Sequence, residues 1–150
     1  MDYFEIEGKK KLYGEIQVSG AKNAVLPLMA ASILNDRPLT INNVPKLSDS
    51  LTMGKLIEGM GGEVSFDGNS ITINPNDLNA PYAPYDLVKT MRASFYVLGP
   101  LIAKFGEAKV SLPGGCAWGP RPVDFHIEGM KQLGIDISLE AGYVLSLIHI

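Results

Sequence analysis

The feature that most constrains the fold is an internal repeat of about 70 residues. The stretch M-G-G-E-V-S-F at 60–66 aligns with L-G-I-D-I-S-L at 133–139, an offset of 73, and each stretch follows an amphipathic helical pattern. The strand before each helix gives a smaller offset of about 70, from residues 40–41 to residues 110–111. Repetition at this period predicts a duplicated α/β unit of strand, helix, strand, helix, strand and strand. The second copy therefore carries a few extra residues between strand and helix, and they fall in the loop that holds Cys116.

The composition is that of an ordinary globular protein and excludes several classes of partner. The chain has 150 residues, 46% of them apolar and 19% charged, with a formal net charge of −3. Length alone predicts one domain, and the acidic balance argues against nucleic acid bound through a basic surface. The longest apolar stretches, 24–34 and 93–103, hold about eleven residues each and contain a proline, whereas a membrane-spanning helix needs roughly 20. We expect no membrane segment, no secretory signal and a cytoplasmic location.

Local patterns predict the order of the elements. Strands are expected at 3–6 and 15–18, a helix from about Lys22, a strand at 39–41, a helix from Ser48 or Asp49, and a hairpin with strands 63–66 and 70–73. A surface connection at 74–85 then leads to a helix at 87–103, a strand at 108–112, a helix at 122–133, a strand at 136–138 and a turn before Tyr143.

A glycine- and proline-rich loop surrounds the single cysteine. It reads S-L-P-G-G-C-A-W-G-P-R-P-V-D-F-H over 111–126. Cys116 is either a small buried residue or a reactive thiol, because a single cysteine makes no internal disulfide and has no neighbours typical of a zinc site. Arg121 is close enough in sequence to favour the thiolate or to tune a proton donor if the loop folds over. A hinged lid suits this composition, and an insertion without purpose is the alternative explanation of the extra residues.

Two helix starts are candidate sites for anions. Pro122 is a favoured first helical residue and Asp124 lies in the first turn, so the free amides of that helix point toward whatever the loop encloses. Asp124 is also explained as simple compensation of the helix dipole. Lys22 and Asn23 open the first helix in S-G-A-K-N-A, a phosphate-binding arrangement that lacks the P-loop spacing and is equally compatible with a surface lysine.

The predicted helix at 87–103 carries two different faces. An apolar stripe is formed by Val88, Met91, Phe95 and Leu98. On a neighbouring flank, Lys89, Arg92 and Tyr96 either receive a phosphate and a ring or form a solvated face. Elsewhere, Asp49 is interpreted as a helix cap and His126 as a helix surface or core residue, and no metal-ligand set is visible.

Three longer strings resemble one family of transferases. They are S-G-A-K-N-A-V-L-P-L-M-A-A at 19–31, V-K-T-M-R-A-S at 88–94 and L-P-G-G-C-A-W-G-P-R-P-V-D-F-H at 112–126. All three closely resemble the enolpyruvyl transferases that act on UDP-N-acetylglucosamine, and the likeness runs in order to about Val144. The branch that acts on shikimate 3-phosphate shares the repeat, but it has serine after the first lysine and lacks the cysteine loop. That branch and a nucleotide-sugar-binding module without catalysis are the alternative readings.

The resemblance implies an inside-out α/β barrel architecture built of repeated βαβαββ units. The family has two globular domains of three units each, with the active site in the cleft between them. By this likeness, residues 1–20 are opening strands that pack with the second domain, 21–78 form the first unit and 79–144 form the second. The third unit and most of the second domain are absent from these 150 residues. The tail at 145–150 departs from the family pattern and is predicted to be foreign.

The resemblance also implies an activity and its residues. The reaction moves the enolpyruvyl group of phosphoenolpyruvate to the 3-hydroxyl of UDP-N-acetylglucosamine and releases phosphate, with no metal or other cofactor. It is the first committed step of bacterial peptidoglycan synthesis. Cys116 is implied to be the proton donor, and Lys22 and Asn23 to bind phosphoenolpyruvate, with Asn23 close to the reacting sugar hydroxyl. The residues implied to bind the nucleotide sugar are Arg92, Arg121, Pro122, Val123, Asp124 and Phe125.

Two departures from the family pattern qualify this expectation. Trp118 stands where the family more often has a smaller aliphatic residue, which alters the packing of the loop without removing a catalytic group. The family also uses an acidic base and further arginines from its later half. We therefore expect little or no turnover from these 150 residues alone.

Overall fold

The computed structural model describes residues 3–89, 91–113 and 123–148. The first α/β unit begins with a helix that is followed by a 3-10 turn and a short strand. Its elements are α1 (Lys22–Ala31), the turn Ser32–Leu34, β1 (Leu39–Ile41), α2 (Ser48–Gly59), β2 (Glu63–Asp67) and β3 (Ser70–Asn74). The strands form an antiparallel sheet in the order β1-β3-β2. In β3, Ile71 and Ile73 face the core and are fully buried, because successive side chains of a strand point to opposite faces.

The second unit repeats this plan with one additional strand. Its elements are β4 (Tyr82–Ala83), α3 (Tyr85–Val88), a 3-10 segment (Arg92–Val97), α4 (Leu98–Phe105), β5 (Glu107–Ser111), α5 (Asp124–Gln132), β6 (Asp136–Glu140) and β7 (Tyr143–Leu147). The sheet order is β4-β5-β7-β6, in which β4 pairs with β5 in parallel and the other pairs are antiparallel.

The strand registers agree with the repeat seen in the sequence. β2 and β3 correspond to β6 and β7 at an offset of 73 (136 − 63 and 143 − 70). Ile41 lies opposite Ile71, and Val110 lies opposite Val144, so β1 corresponds to β5 at an offset of 69 (110 − 41). The mixed α/β fold and the extra residues after β5 are confirmed, whereas the unit boundaries at 21–78 and 79–144 stay predictions.

One buried cluster joins the two units. α1 packs against both α2 and the 3-10 segment 92–97, and α4 packs against β5 and the turn at 32–34. The predicted stripe of Val88, Met91, Phe95 and Leu98 lies in this core, with each side chain at most 7% exposed. Burial of these side chains on several elements is the main stabilising contribution to the described fold.

The continuous helix predicted at 87–103 is wrong. α3 ends at Val88, and Met91 is extended (φ −145°, ψ 115°) before the 3-10 segment begins. Both the backbone N–H and the hydroxyl of Ser94 donate to the carbonyl of Met91, at 3.1 and 2.6 Å. A serine hydroxyl that bonds its local backbone competes with the α-helical ladder, and this one fastens the tighter 3-10 turn. Lys89, Arg92 and Tyr96, predicted to form one flank, therefore do not lie on one continuous helix.

Residues 3–21 form neither a helix nor a strand, although strands were predicted at 3–6 and 15–18. The apolar side chains of this segment are exposed, including Phe4 at 98% and Tyr13 at 103%. A two-stranded hairpin without a hydrophobic partner is marginal in water, so the alternating pattern alone does not produce one. Packing of this segment with a second domain stays a prediction.

The end of the chain extends the second sheet. Residues 145–147 belong to β7 and pair with both β5 and β6, while the foreign origin predicted for 145–150 stays a prediction. Within the described ranges, every helix falls short of the length and apolar character that a membrane crossing requires.

Candidate substrate-binding site

A close backbone contact sets the start of α1. A Cβ atom added to Gly20 would lie 1.9 Å from the carbonyl oxygen of Asn43, so only glycine fits there. Asn43 itself adopts a positive φ of 57°, and the following Val44 donates its N–H to the carbonyl of Asn69 at 2.7 Å. These contacts tie the residues before α1 to the loop that leads into α2.

Lys22 and Asp49 meet between the first turns of these two helices. Lys22 is the first residue of α1, and its Nζ lies 2.9 Å from Oδ2 of Asp49, the second residue of α2. The lysine side chain is 49% exposed and the carboxylate 27%, so the pair lies at the protein surface with the ammonium open to solvent. The interpretation of Asp49 as a cap is wrong, because Leu47 holds the N-cap position and no side chain caps this helix.

The first turn of α1 offers hydrogen-bond donors beside this ammonium. The first amides of a helix have no intrahelical carbonyl partner, and those of Lys22 and Asn23 are in that position. The helix has no acidic residue in its first turn. Free amides, the helix dipole and a held ammonium together make this end of α1 suited to an anion such as phosphate.

The 3-10 segment 92–97 connects this region to α5. It packs against α1, and Phe95 within it contacts the ring of His126 on α5, with ring centroids 6.2 Å apart. Arg92 is the first residue of the segment, and the role expected for its side chain stays a prediction. Lys89 is instead the C-cap residue of α3, and its Nζ lies 2.5 Å from Oδ1 of Asp86 and over the ring of Tyr85. Its hydrogen bond to Asp86 raises the pKa of its ammonium.

The start of α5 presents part of the predicted nucleotide-sugar site. Val123 is the N-cap residue, half-buried against the core, and its carbonyl accepts the N–H groups of His126 and Ile127. Asp124 lies in the first turn, and Phe125 is 85% exposed. The side chain of Phe125 is therefore open to a ligand. Cys116, Arg121 and Pro122 lie outside the described residues, as does Trp118.

Sequence patterns did not indicate a cluster on the outer face of the second sheet. The hydroxyl oxygens of Tyr82 and Tyr143 lie 3.2 Å apart, and Nζ of Lys109 lies 5.5 and 4.9 Å from the two ring centroids. The hydrogen bond from Tyr82 is the largest cause that lowers the pKa of Tyr143, followed by the backbone N–H of Tyr85, and the same hydroxyl pair raises the pKa of Tyr82. The strand register brings these side chains together, and the sequence does not display that register. No sequence signal therefore identified the cluster.

Metal binding has no support in the part of the chain that the structure describes. Across 3–89, 91–113 and 123–148, histidine, cysteine, aspartate and glutamate side chains form no group of three that could hold an ion.

Comparisons with known proteins identify the family. The family model of EPSP synthase (3-phosphoshikimate 1-carboxyvinyltransferase) matches residues 6–150. The UDP-N-acetylglucosamine 1-carboxyvinyltransferase of Acinetobacter guillouiae is 57% identical over 144 residues, which cover 96% of this chain and 34% of that protein. The protein of the same name from Escherichia coli O1:K1 / APEC is 55% identical with the same coverage. That from Psychrobacter sp. (strain PRwf-1) is 54% identical over 96% of this chain and 33% of its own length.

A solved structure shows the same fold. The crystal structure of the enolpyruvyl transferase NikO from Streptomyces tendae superposes with a TM-score of 0.78 at 24% identity, covering 95% of this chain and 31% of that one. The chain thus spans about a third of the length of the proteins it matches. Since the family model covers nearly all of its residues, the chain belongs to the EPSP synthase family of enolpyruvyl transferases.

Proposed function

We propose that this chain is the amino-terminal part of a UDP-N-acetylglucosamine enolpyruvyl transferase. The observation that carries the proposal is the held lysine at the start of α1, in a chain that is 54–57% identical to three proteins of that name. The whole enzyme would move the enolpyruvyl group of phosphoenolpyruvate to the sugar 3-hydroxyl and release phosphate. The enzyme would act in the cytoplasm, at the first committed step of peptidoglycan synthesis. Through that step it would contribute to cell-wall formation, cell shape and cell division.

Lys22 is proposed to receive the phosphate of phosphoenolpyruvate. Its ammonium is half-exposed and fixed by Asp49, beside the free amides at the start of α1. A phosphate oxygen at this position gains a charge-assisted hydrogen bond together with the helix dipole. Asn23, one residue further along α1 and also exposed, is proposed to contact the same substrate and the sugar near its reacting hydroxyl.

The nucleotide sugar is proposed to lie along the start of α5 and the preceding residues. Phe125 offers an exposed ring, Val123 is the N-cap residue, and Asp124 lies in the first turn of the helix. Arg121 and Pro122 precede this turn in the sequence, and Arg92 opens the segment that packs between α1 and α5. Guanidinium groups from two elements would neutralise the diphosphate and the substrate carboxylate.

The proposed chemistry is an addition followed by an elimination. Cys116 delivers a proton to the methylene carbon of phosphoenolpyruvate, and the adjacent carbon becomes cationic. The sugar 3-hydroxyl attacks that carbon and gives up its proton to a base, which forms a tetrahedral intermediate. Loss of phosphate and of one methyl proton then restores the carbon–carbon double bond. Cations stabilise the phosphate as it leaves, and a closed loop excludes water that would compete with the sugar.

An exchange experiment tests the proposal. Residues 1–144 replace the corresponding segment of the Acinetobacter guillouiae protein, and phosphate release from phosphoenolpyruvate is measured with UDP-N-acetylglucosamine. We expect turnover comparable to that of the intact relative. Turnover with shikimate 3-phosphate instead would establish the other branch of the family. Calorimetry on the 150-residue chain distinguishes the binding module, because tight binding of UDP-N-acetylglucosamine by this chain alone would favour that reading.

A matched pair of lysine variants tests the phosphate site in the same exchanged enzyme. Lys22→Gln should raise the KM for phosphoenolpyruvate about 10-fold or more, because a charge-assisted hydrogen bond is lost. Lys10→Gln is the control, since Lys10 is also a surface lysine in an ion pair, with Glu7 at 3.1 Å. Equal effects of the two variants would remove Lys22 from the substrate site.

A further inference from the structure

A groove lies at the start of α2, next to the turn between β2 and β3. It encloses about 520 Å³, a size common for small-molecule sites. Three parts of the first unit form its walls: the loop before α2, the first turns of α2 and the end of the hairpin. The lining residues are Val44, Pro45, Lys46, Leu47, Ser48, Ser50, Leu51, Phe66, Gly68 and Ser70. None of them is a residue proposed above for either substrate, so the inference is independent of the proposed function.

Ser50 lies at the wall of this groove with a hydroxyl unpartnered within the described ranges. The residue is 1% exposed, it lines the groove, and its hydroxyl has no hydrogen-bond partner among the described residues. Two other buried serines are satisfied: Ser32 donates to the carbonyl of Met29 and Ser94 to that of Met91, each at 2.6 Å. Buried polar groups in native proteins are nearly always paired with protein or ordered water, so this hydroxyl is available to donate to a molecule bound in the groove.

The electrostatics of the groove favour an anionic partner. The amides of residues 48–50 belong to the first turn of α2 and have no intrahelical carbonyl to bond. Lys46 adds a positive charge at the wall. The negative charge in the same turn, on Asp49, is engaged by Lys22 at 2.9 Å. An oxygen anion placed at Ser50 would therefore meet a hydroxyl donor, a helix N-terminus and a nearby ammonium.

The remaining wall is apolar and incompletely covered. Leu47, Leu51 and Phe66 are 38%, 53% and 45% exposed, respectively, and all three line the groove. Phe66 is held in place by the helix, because its ring packs where Gly54 leaves room. A ligand with an apolar body would cover these side chains and gain hydrophobic stabilisation.

We propose that this groove binds a small carboxylate with an apolar body, its carboxylate accepting the Ser50 hydroxyl hydrogen bond. A carboxylate suits the site better than a phosphate, because the groove offers one ammonium and Asp49 lies in the same turn. The apolar body lies against Leu47, Leu51 and Phe66.

Benzoate is the probe for this proposal. Two-dimensional amide NMR of the 150-residue chain follows a benzoate titration, with benzylammonium as a ligand of the same body and opposite charge. We expect benzoate to shift the amides of residues 44–51 and 66–70, and benzylammonium to bind at least 5-fold more weakly. Ser50→Ala should weaken benzoate binding about 10-fold, since a hydrogen bond to a charged group is lost.

A second buried serine supplies the matched control. Ser32→Ala removes a satisfied hydroxyl that does not line the groove and should leave the benzoate affinity unchanged. Lys46→Gln should weaken binding about 2- to 5-fold, the range expected for a surface charge, and it tests the proposal even if Ser50→Ala fails to fold. Absence of localised shifts, equal binding of benzylammonium, or an affinity that neither Ser50→Ala nor Lys46→Gln changes would each overturn the proposal.

Discussion

The two units share a strand framework but present different outer sheet surfaces. In the first unit this surface carries short polar side chains that bond one another, such as Thr40 with Thr72 at 2.9 Å between their hydroxyl oxygens. In the second unit, Lys109 occupies the corresponding strand position and packs over the rings of Tyr82 and Tyr143. The inner surfaces remain alike, with Ile71 and Val144 fully buried at equivalent positions. Burial constrains the inner face of a repeat, whereas the outer face is free to diverge.

The connections from strand to helix differ more than the sheets do. In the first unit the loop after β1 is compact, and Val44 within it is buried and bonded to the hairpin turn. In the second unit the same interval is four residues longer, because Ile41 to Gly59 spans 18 positions and Val110 to Gln132 spans 22. Cys116 stands in that longer connection. We expect the shared strands to carry stability, and the chemistry proposed for Cys116 falls in the lengthened connection.

The largest expected effect concerns the longer loop of the second unit. Cys116→Ser in the exchanged enzyme should lower kcat by about 10²- to 10⁴-fold, the usual contribution of a positioned general acid. Stability should be unaffected, and unfolding in urea provides that control. A variant with unchanged kcat would mean that the extra residues of the second unit are not where protonation occurs. Labelling by fosfomycin, which the resemblance to the UDP-N-acetylglucosamine branch implies would alkylate Cys116, offers an independent readout by mass spectrometry, since the chain has a single cysteine.

Equivalent core positions test whether the shared framework carries stability in both units. Ile71→Ala should lower the free energy of unfolding by about 3 kcal/mol and Val144→Ala by about 2 kcal/mol, because both side chains are fully buried and the isoleucine truncation removes one more carbon. Urea unfolding of the 150-residue chain measures both values. Thr72→Ala, on the outer face beside Ile71, is the control and should cost less than about 1 kcal/mol. A negligible effect of Val144→Ala alone would show that the second sheet is not part of the cooperative fold.

The backbone contact at the first loop provides the next test. Gly20→Ala places a methyl group where only 1.9 Å separates it from the Asn43 carbonyl oxygen, so the backbone must move. We expect a loss of about 2 kcal/mol in unfolding free energy. Gly8→Ala is the matched control, because nothing lies within 4 Å of a Cβ there. Equal stabilities of the two variants would show that the compact loop of the first unit does not depend on this contact.

The sequence was sufficient for features that depend on local periodicity. The alternation in β3 and the D-G-N turn predicted the first hairpin to within one residue at its strand ends, and the spacing of apolar residues predicted α2. The break after Val88 was not predictable from spacing, because the stripe of buried residues is the same whether or not Met91 is extended. The Lys22–Asp49 pair and the Tyr82–Tyr143 bond join residues distant in sequence, and only the tertiary fold brings them together.

The smallest expected effect concerns the tyrosine pair on the second outer face. Tyr82→Phe should raise the pKa of Tyr143 toward its ordinary value, because the bond that most favours the Tyr143 phenolate is removed. Tyr143→Phe should lower the pKa of Tyr82, whose raised value has the same bond as its largest cause. Titration of the tyrosine ring carbons by NMR measures each pKa separately.

The sign of the pH dependence follows from these two directions. The lowered pKa of Tyr143 adds stability only above its unfolded value near 10.0, and that contribution is lost as pH falls through the folded pKa. The raised pKa of Tyr82 adds stability that is present below 10.0 and lost as pH rises through its folded pKa. At neutral pH only the Tyr82 contribution operates, so Tyr82→Phe should alter stability slightly there. Tyr85→Phe keeps the backbone donor to Tyr143 and should leave the Tyr143 pKa unchanged. Equal shifts of the Tyr143 pKa in Tyr85→Phe and Tyr82→Phe would contradict this assignment. The Tyr82–Tyr143 hydroxyl pair would then not be what distinguishes the outer face of the second sheet from that of the first.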